Sequence, residues 1–289
     1  MTLRRLSSGF GLLEGARWYP DTGLLFSDMT RGGVYQLLGH HKDPVLVMPH
    51  RKGIGGLVLH ADGGLVVTGR NVAYKAAGAE TIVLLSTTSG EVFFNDLGTD
   101  QQGRILVGSV AVDPLAPTDR DPVAARLGRL YLIQLDGTAS VLFDDIAISN
   151  GIAAAPTGTL VYHVDTGHKL VWAVDLDAGS RSLFVDTSKY DGEPDGLAVA
   201  GDGSVWVAMA GGGLVVGWDA EGTVVQEIEI PQILVTSVCF GGPDMLTLYV
   251  LTGPSDLEEL GGSVYACPAP VPGRAVPLAR VARSGASSP

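Results

Sequence analysis

Along residues 10–268, short runs of apolar residues alternate with glycine-containing turns, and the alternation repeats. One unit begins Asp195-Gly196-Leu197-Ala198-Val199 and turns at Gly201-Asp202-Gly203. It continues through Val205-Trp206-Val207-Ala208-Met209 and then Gly213-Leu214-Val215-Val216-Gly217-Trp218. The unit before it has the same shape: Asn150-Gly151-Ile152-Ala153, a turn at Thr157-Gly158, then Leu160 to Asp165 and Lys169 to Val174. Runs of this length, rich in Val and Leu and bounded by Gly and Asp, predict strands. No long stretch holds the 3.6-residue spacing of a helix.

The distance from the polar residue leading each unit to its turn glycine is constant. It is eight residues for Asn95 to Gly103, Asn150 to Gly158, Asp195 to Gly203 and Gly55 to Gly63, and nine for Glu14 to Gly23. A looser sixth unit begins near Ser237, with its turn displaced to Gly241-Gly242-Pro243-Asp244. Successive leads are 40 to 55 residues apart, and the longest interval holds a proline-bearing insertion, residues 113–127, with the composition of a surface loop. Six units of four short strands predict an all-β fold, a six-bladed β-propeller. A single domain over residues 1–289 is expected, with 269–289, rich in Pro, Ala and Ser, as a partly disordered tail from which Val276-Pro277-Leu278 could still edge a blade.

Composition adds the reason for the glycines and removes some partners. Glycine is 40 of 289 residues, about twice the usual ~7%, as hairpin turns needing positive φ require. With Asp plus Glu at 31 against Lys plus Arg at 19, the formal charge is −12, which disfavours nucleic acid as a partner. No apolar run approaches a membrane span. The first residues lack the apolar core of a secretory signal, so a cytoplasmic protein is expected. Cys239 and Cys267 show no metal spacing and are expected as buried thiols.

In a propeller the first strand of each unit lines the channel, so the six leads converge: Glu14, Gly55, Asn95, Asn150, Asp195 and Ser237. Asp and Asn are depleted in strands; one alone would be a turn or cap residue, but four oxygen-bearing side chains at one repeat position point to a site. Two carboxylates and two amides, with no sulfur or imidazole, suit a hard divalent cation, Ca²⁺ first, with Mg²⁺ and Mn²⁺ as alternatives and the softer Zn²⁺ also left open as the ion. Such an ion could polarise a carbonyl or phosphoryl oxygen.

These residues carry a resemblance. Leu13-Glu14-Gly15-Ala16-Arg17-Trp18, Phe94-Asn95-Asp96 with Asp100-Gln101-Gln102-Gly103-Arg104, Ile148-Ser149-Asn150-Gly151, Pro194-Asp195-Gly196 and Cys239-Phe240-Gly241-Gly242 span residues 13–242. Their order and spacing resemble the SMP-30/gluconolactonase/luciferin-regenerating-enzyme-like family. The resemblance implies a metal-dependent lactonase in which Glu14, Asn150 and Asp195 bind the metal, and Asn95 contacts substrate or completes the metal shell. It also matches Asp195 to the proposed general base. Sugar-lactone members carry an arginine two residues before the asparagine, where this chain has Phe93. A more apolar pocket and a small-molecule substrate less hydroxylated than gluconolactone follow from that change. Arg17 and Arg70 are the cations nearest the channel-side strand ends, and Arg17 is a candidate for substrate binding.

Other readings stay open at this stage: a phosphotriesterase-like hydrolase, a metal-assisted cyclase or isomerase, and a non-enzymatic ligand-binding propeller. His163-Val164-Asp165 places two side chains on one strand face, for a structural hydrogen bond or a relay. His40-His41, His50 and His60 are expected in loops or solvent, and Gly211-Gly212-Gly213 as a turn. The four tryptophans are expected in packing between blades.

Overall fold

The computed structural model describes residues 2–39, 43–88, 91–111, 127–256 and 259–283. Six four-stranded antiparallel sheets form the six blades of a β-propeller, as the repeat predicts. Blade 1 contains β2 (Leu13–Tyr19), β3 (Gly23–Asp28), β4 (Val34–Leu37) and β5 (Val45–Met48). Blade 2 contains β6 (Leu57–Leu59), β7 (Leu65–Val67), β8 (Asn71–Lys75) and β9 (Ile82–Ser86). Blade 3 contains β10 (Phe93–Thr99), β11 (Ile105–Val110), β12 (Gly128–Ile133) and β13 (Ala139–Ile146). Blade 4 contains β14 (Ser149–Ala154), β15 (Leu160–Asp165), β16 (Leu170–Asp175) and β17 (Ser180–Asp186). Blade 5 contains β18 (Glu193–Val199), β19 (Val205–Ala210), β20 (Leu214–Trp218) and β21 (Val224–Glu229). Blade 6 is assembled from both ends of the chain: β22 (Val235–Gly241), β23 (Thr247–Thr252) and β24 (Gly262–Pro268) are completed by the N-terminal β1 (Arg4–Phe10).

The innermost strands β2, β10, β14 and β18 are buried along nearly their whole length because neighbouring blades cover both faces. Apolar clusters fill the spaces between blades. Trp206 on blade 5 meets Phe240 on blade 6 edge-on at 6.1 Å, and Trp18 stacks on Tyr249 at 5.4 Å between blades 1 and 6. The turn glycines behave as the spacing requires: Gly23, Gly63, Gly103, Gly158 and Gly203 all have φ between +72° and +91°, conformations that cost a Cβ-bearing residue energy.

At the opposite end of the innermost strands the ladder is broken the same way in four blades. Two residues face one partner residue: Gly15-Ala16 in β2, Asn95-Asp96 in β10, Asn150-Gly151 in β14 and Asp195-Gly196 in β18. Such a β-bulge frees a residue from the ladder and re-aims its side chain. The bulges nest around the ring. A Cβ on Gly15 would lie 3.2 Å from Gly56 Cα, one on Gly151 would lie 2.7 Å from the Asp195 carbonyl, and one on Gly196 would lie 2.9 Å from Ser237 Cα. The Ala16 amide donates to Ser237 Oγ at 3.1 Å and closes the circle.

Residues 269–283 pass beneath the turn end of the channel. The Gly201 amide donates to the Pro272 carbonyl, Ala279 to Leu59, Ala61 to Ala279, and Arg280 to Gly103, all at 2.8–2.9 Å. Thr99 Oγ1 donates to Pro277 O at 2.6 Å. Val276-Pro277-Leu278 therefore underlies blades rather than edging one. His60 departs from its expected solvated role: it is buried, with Nε2 3.0 Å from Val281 O, because the C-terminal segment covers it. Residues 284–289, His40, His41 and positions 113–126 of the insertion lie outside the described residues.

Candidate metal and substrate site

Each of Glu14, Asn95, Asn150 and Asp195 is carried to the channel by the start of an innermost strand, and each retains only 6–8% exposure. They are buried enough to feel one another strongly and still open to a small ligand. Asn95, Asn150 and Asp195 are the first residues of their bulges. Glu14 sits one residue ahead of its bulge, opposite Ser27, and Gly15 holds the register place that asparagine or aspartate holds elsewhere. That offset explains the spacing of nine where four other leads show eight.

The electrostatics of this ring are unfavourable without a cation. Burial, then the charges of Asp195 and Asp96, push the Glu14 carboxyl well above its ordinary range. Burial, then Asp96 and Glu193, do the same to Asp195, against a hydrogen bond from the Asn150 amide. Asp195 Oδ1 is buried without a hydrogen-bond partner. A buried carboxylate oxygen left unpaired costs several kcal/mol unless it is neutralised. The neighbouring Asp96 is raised by burial too, but Arg17 answers it with Nη2 at 3.1 Å.

The donor set fits a hard divalent cation in its chemistry. It offers oxygen only, two carboxylates supply charge, and one buried carboxylate oxygen faces no protein donor. Among the described residues no three His, Cys, Asp or Glu side chains are grouped to hold a metal ion. The amide oxygens of Asn95 and Asn150 are thus integral to any such shell. Asn95 is oriented for this: its Nδ2 donates to Ser149 O at 2.9 Å, which leaves Oδ1 free of that bond.

The other predicted residues take different places. The Arg17 guanidinium donates to Asp96 Oδ1, to Leu97 O at 2.6 Å and, through Nη1, to Ala16 O at 2.8 Å. It braces the bulges of blades 1 and 3 and lines a small cavity of about 50 Å³ between the leads and the C-terminal segment, so its donors are not directed to a substrate at the ring. Phe93 is buried in an apolar cluster with Leu12, Met29 and Val110, against which Ile148 and Leu234 pack. His163 does not relay to Asp165. Its Nε2 lies 2.7 Å from Ser149 Oγ, and burial lowers its pKa to about 3, so the ring stays neutral. Asp165 instead accepts from the Ala147 amide and pairs with His168 at 2.7 Å. Both cysteines are buried free thiols.

Three residues that the sequence places at or beside the leads without a role gain one here: Asp96 shares a bulge with Asn95, Ser237 accepts the ring-closing bond, and the Ser149 carbonyl orients Asn95. Asp96 and Ser149 each adjoin a lead in sequence, and the two-residue bulge is the signal that could have exposed them.

The family model described as the SMP-30/Gluconolactonase/LRE-like region matches residues 12–253. A pentonolactonase from Haloferax volcanii is 31% identical over 278 residues, covering 91% of this chain and 89% of its own length. A 6-deoxy-6-sulfogluconolactonase from Pseudomonas putida is 31% identical, covering 88% of this chain and 90% of its own. Among solved structures, a calcium-binding protein, regucalcin, from Agrobacterium tumefaciens superposes with a TM-score of 0.80 at 23% identity, over 97% of this chain and 98% of that one. No helix among the described residues is long and apolar enough to cross a membrane.

Proposed function

The chain belongs to the SMP-30/gluconolactonase/LRE-like family, and from that premise we propose that it is a lactone hydrolase whose site is the ring of Glu14, Asn95, Asn150 and Asp195. The observation that carries the reading is the unpartnered, buried Asp195 Oδ1 in a ring where burial, and then neighbouring carboxylates (Asp195 and Asp96 on Glu14, Asp96 and Glu193 on Asp195), raise both carboxyl pKa values. Relatives named as lactonases favour hydrolysis of a lactone over the phosphotriesterase, cyclase and non-enzymatic alternatives.

Glu14, Asp195 and Asn150 would hold a divalent cation, calcium first, with Asn95 completing the shell or contacting substrate. When bound, the ion would supply Lewis-acid polarisation of the lactone carbonyl. Asp195 would give one carboxylate oxygen to the ion and is suited to accept the proton of the attacking water through the other, and general-base help of this kind is worth ~10²–10⁴-fold. Asn150, hydrogen-bonded to Asp195, holds that carboxylate in place. Phe93 and its apolar neighbours exclude water and offer no donor to a polyol, which supports a substrate less hydroxylated than gluconolactone.

The test is a panel of alkyl-substituted and sugar lactones assayed with Ca²⁺, after exhaustive chelation, and with Asp195→Asn. Alkyl lactones turned over faster than glucono-lactone, with loss of activity on chelation and in the variant, is the expected result. Full activity without metal would overturn the metal assignment, and preference for glucono-lactone would overturn the substrate assignment.

A further inference from the structure

Two residues before the leads stand Leu12, Gly53, Phe93, Ile148, Glu193 and Val235 in sequence. Of these, Leu12, Phe93 and Ile148 on blades 1, 3 and 4 gather in one apolar cluster, a collar that Met29 and Leu234 complete. On blade 2 the place is held by Gly53, with φ +72°, where a Cβ would meet nothing within 4 Å. The wall around the leads therefore has a notch at blade 2.

The notch opens on a groove of about 490 Å³ whose lining includes Met29, Val92 and Phe93 together with Lys52 and Arg70. Both cations are exposed, and no carboxylate lines the groove. Neither has an ion pair or side-chain hydrogen bond among the described residues, whereas the adjacent Arg51 is consumed by Thr68 O, Asn71 O and Asn71 Oδ1. In a chain of formal charge −12, two unpaired cations at an acid-free groove sharing Met29 and Phe93 with the apolar collar form a local exception. They lie where an arm on a ring-bound substrate would leave through the notch.

We propose that this groove is a subsite for an anionic oxyacid group, carboxylate, phosphate or sulfonate, carried by the substrate on a short apolar arm. The proposal rests on the lactone-hydrolase reading and narrows it. The lactone ring sits at the leads, the arm crosses Phe93 and Met29, and Lys52 and Arg70 hold the charge. Charge-assisted hydrogen bonds of this kind sharpen selectivity about tenfold, and the gain weakens as ionic strength rises.

The experiment compares two γ-substituted butyrolactones with the same alkyl arm, one ending in methyl and one in carboxylate. In the wild-type protein kcat/KM is expected to favour the carboxylated lactone about tenfold at low salt. In Lys52→Ala/Arg70→Ala the ratio is expected to fall to about one. A wild-type protein without preference, or a double variant that keeps it, overturns the subsite. Binding of the matching non-hydrolysable lactams, measured by calorimetry, separates the two readings. If neither lactone is hydrolysed but the carboxylated lactam binds tighter in the wild type alone, the subsite stands and the hydrolase reading falls. Equal binding of both lactams by both proteins removes the subsite whatever the activity.

Discussion

The two ends of the channel are built by the same innermost strands and obey opposite rules. At the turn end, the backbone of residues 269–283 answers polar groups presented by the blades: Pro272 accepts from Gly201, Pro277 from Thr99, and Ala279 exchanges bonds with Leu59 and Ala61. At the lead end, two carboxylates with raised pKa values face each other, and an oxygen of Asp195 has no partner. Backbone hydrogen bonds to the C-terminal segment mark the end that holds the fold, although Trp18 Nε1 and Arg104 Nη2 are buried there without partners, whereas buried carboxylates of raised pKa are concentrated at the end where the ligand site is proposed.

The sharpest way to break this contrast is Glu14→Gln. Activity is expected to fall about 10³-fold, while the melting temperature of the metal-free protein rises, because a buried repulsion is removed. A variant that lost both activity and metal-free stability would make the lead end structural, like the other. Truncation after Ala269 should show the converse. Loss of the backbone hydrogen bonds along the segment is expected to cost roughly 3 kcal/mol, about 1 for the average bond with incomplete loss, and several degrees of melting temperature. Calcium affinity measured by calorimetry well below the new midpoint should be retained; its loss would tie the two ends together.

The smallest effect is in pH. The raised values of Glu14 and Asp195 mean that both bind protons more tightly folded than unfolded. Their contribution to metal-free stability is fully present below the ordinary carboxylate values of 4.5 and 3.8 and is lost as pH rises through the raised ones. Melting curves without metal should therefore shift down across that window. The added stability given by Ca²⁺ should grow, since the ion needs the ionised forms. Parallel curves with and without the ion would remove these carboxylates from its shell.

Much of the lead end was legible because repetition does the work of an alignment: eight residues separate lead from turn glycine in four units, and both positions are fixed by backbone geometry. Glu14 looked irregular only because it precedes its bulge, a detail of ladder register that spacing cannot carry. The contacts of Arg17 were not legible for a physical reason. Its partner, Asp96, lies in another blade, and the choice between bracing a bulge and reaching a substrate is made by that distant contact. His60 and the C-terminal segment were illegible because their bonds run largely to backbone carbonyls, which leave no signature in residue type.

The bulges have a consequence for how such a protein can change over evolutionary time. A residue at a bulge stands outside the hydrogen-bond ladder, so replacing it leaves strand register intact, and the bulge positions of Asn95, Asn150 and Asp195 act as sockets whose occupants are exchangeable one at a time. The socket on blade 2 is closed, because Gly55 and Gly56 give their space to Asn95 and Asp96. New chemistry in this lineage is therefore reached by single substitutions on blades 3, 4 and 5, and the side left vacant at blade 2 is where larger ligands find room.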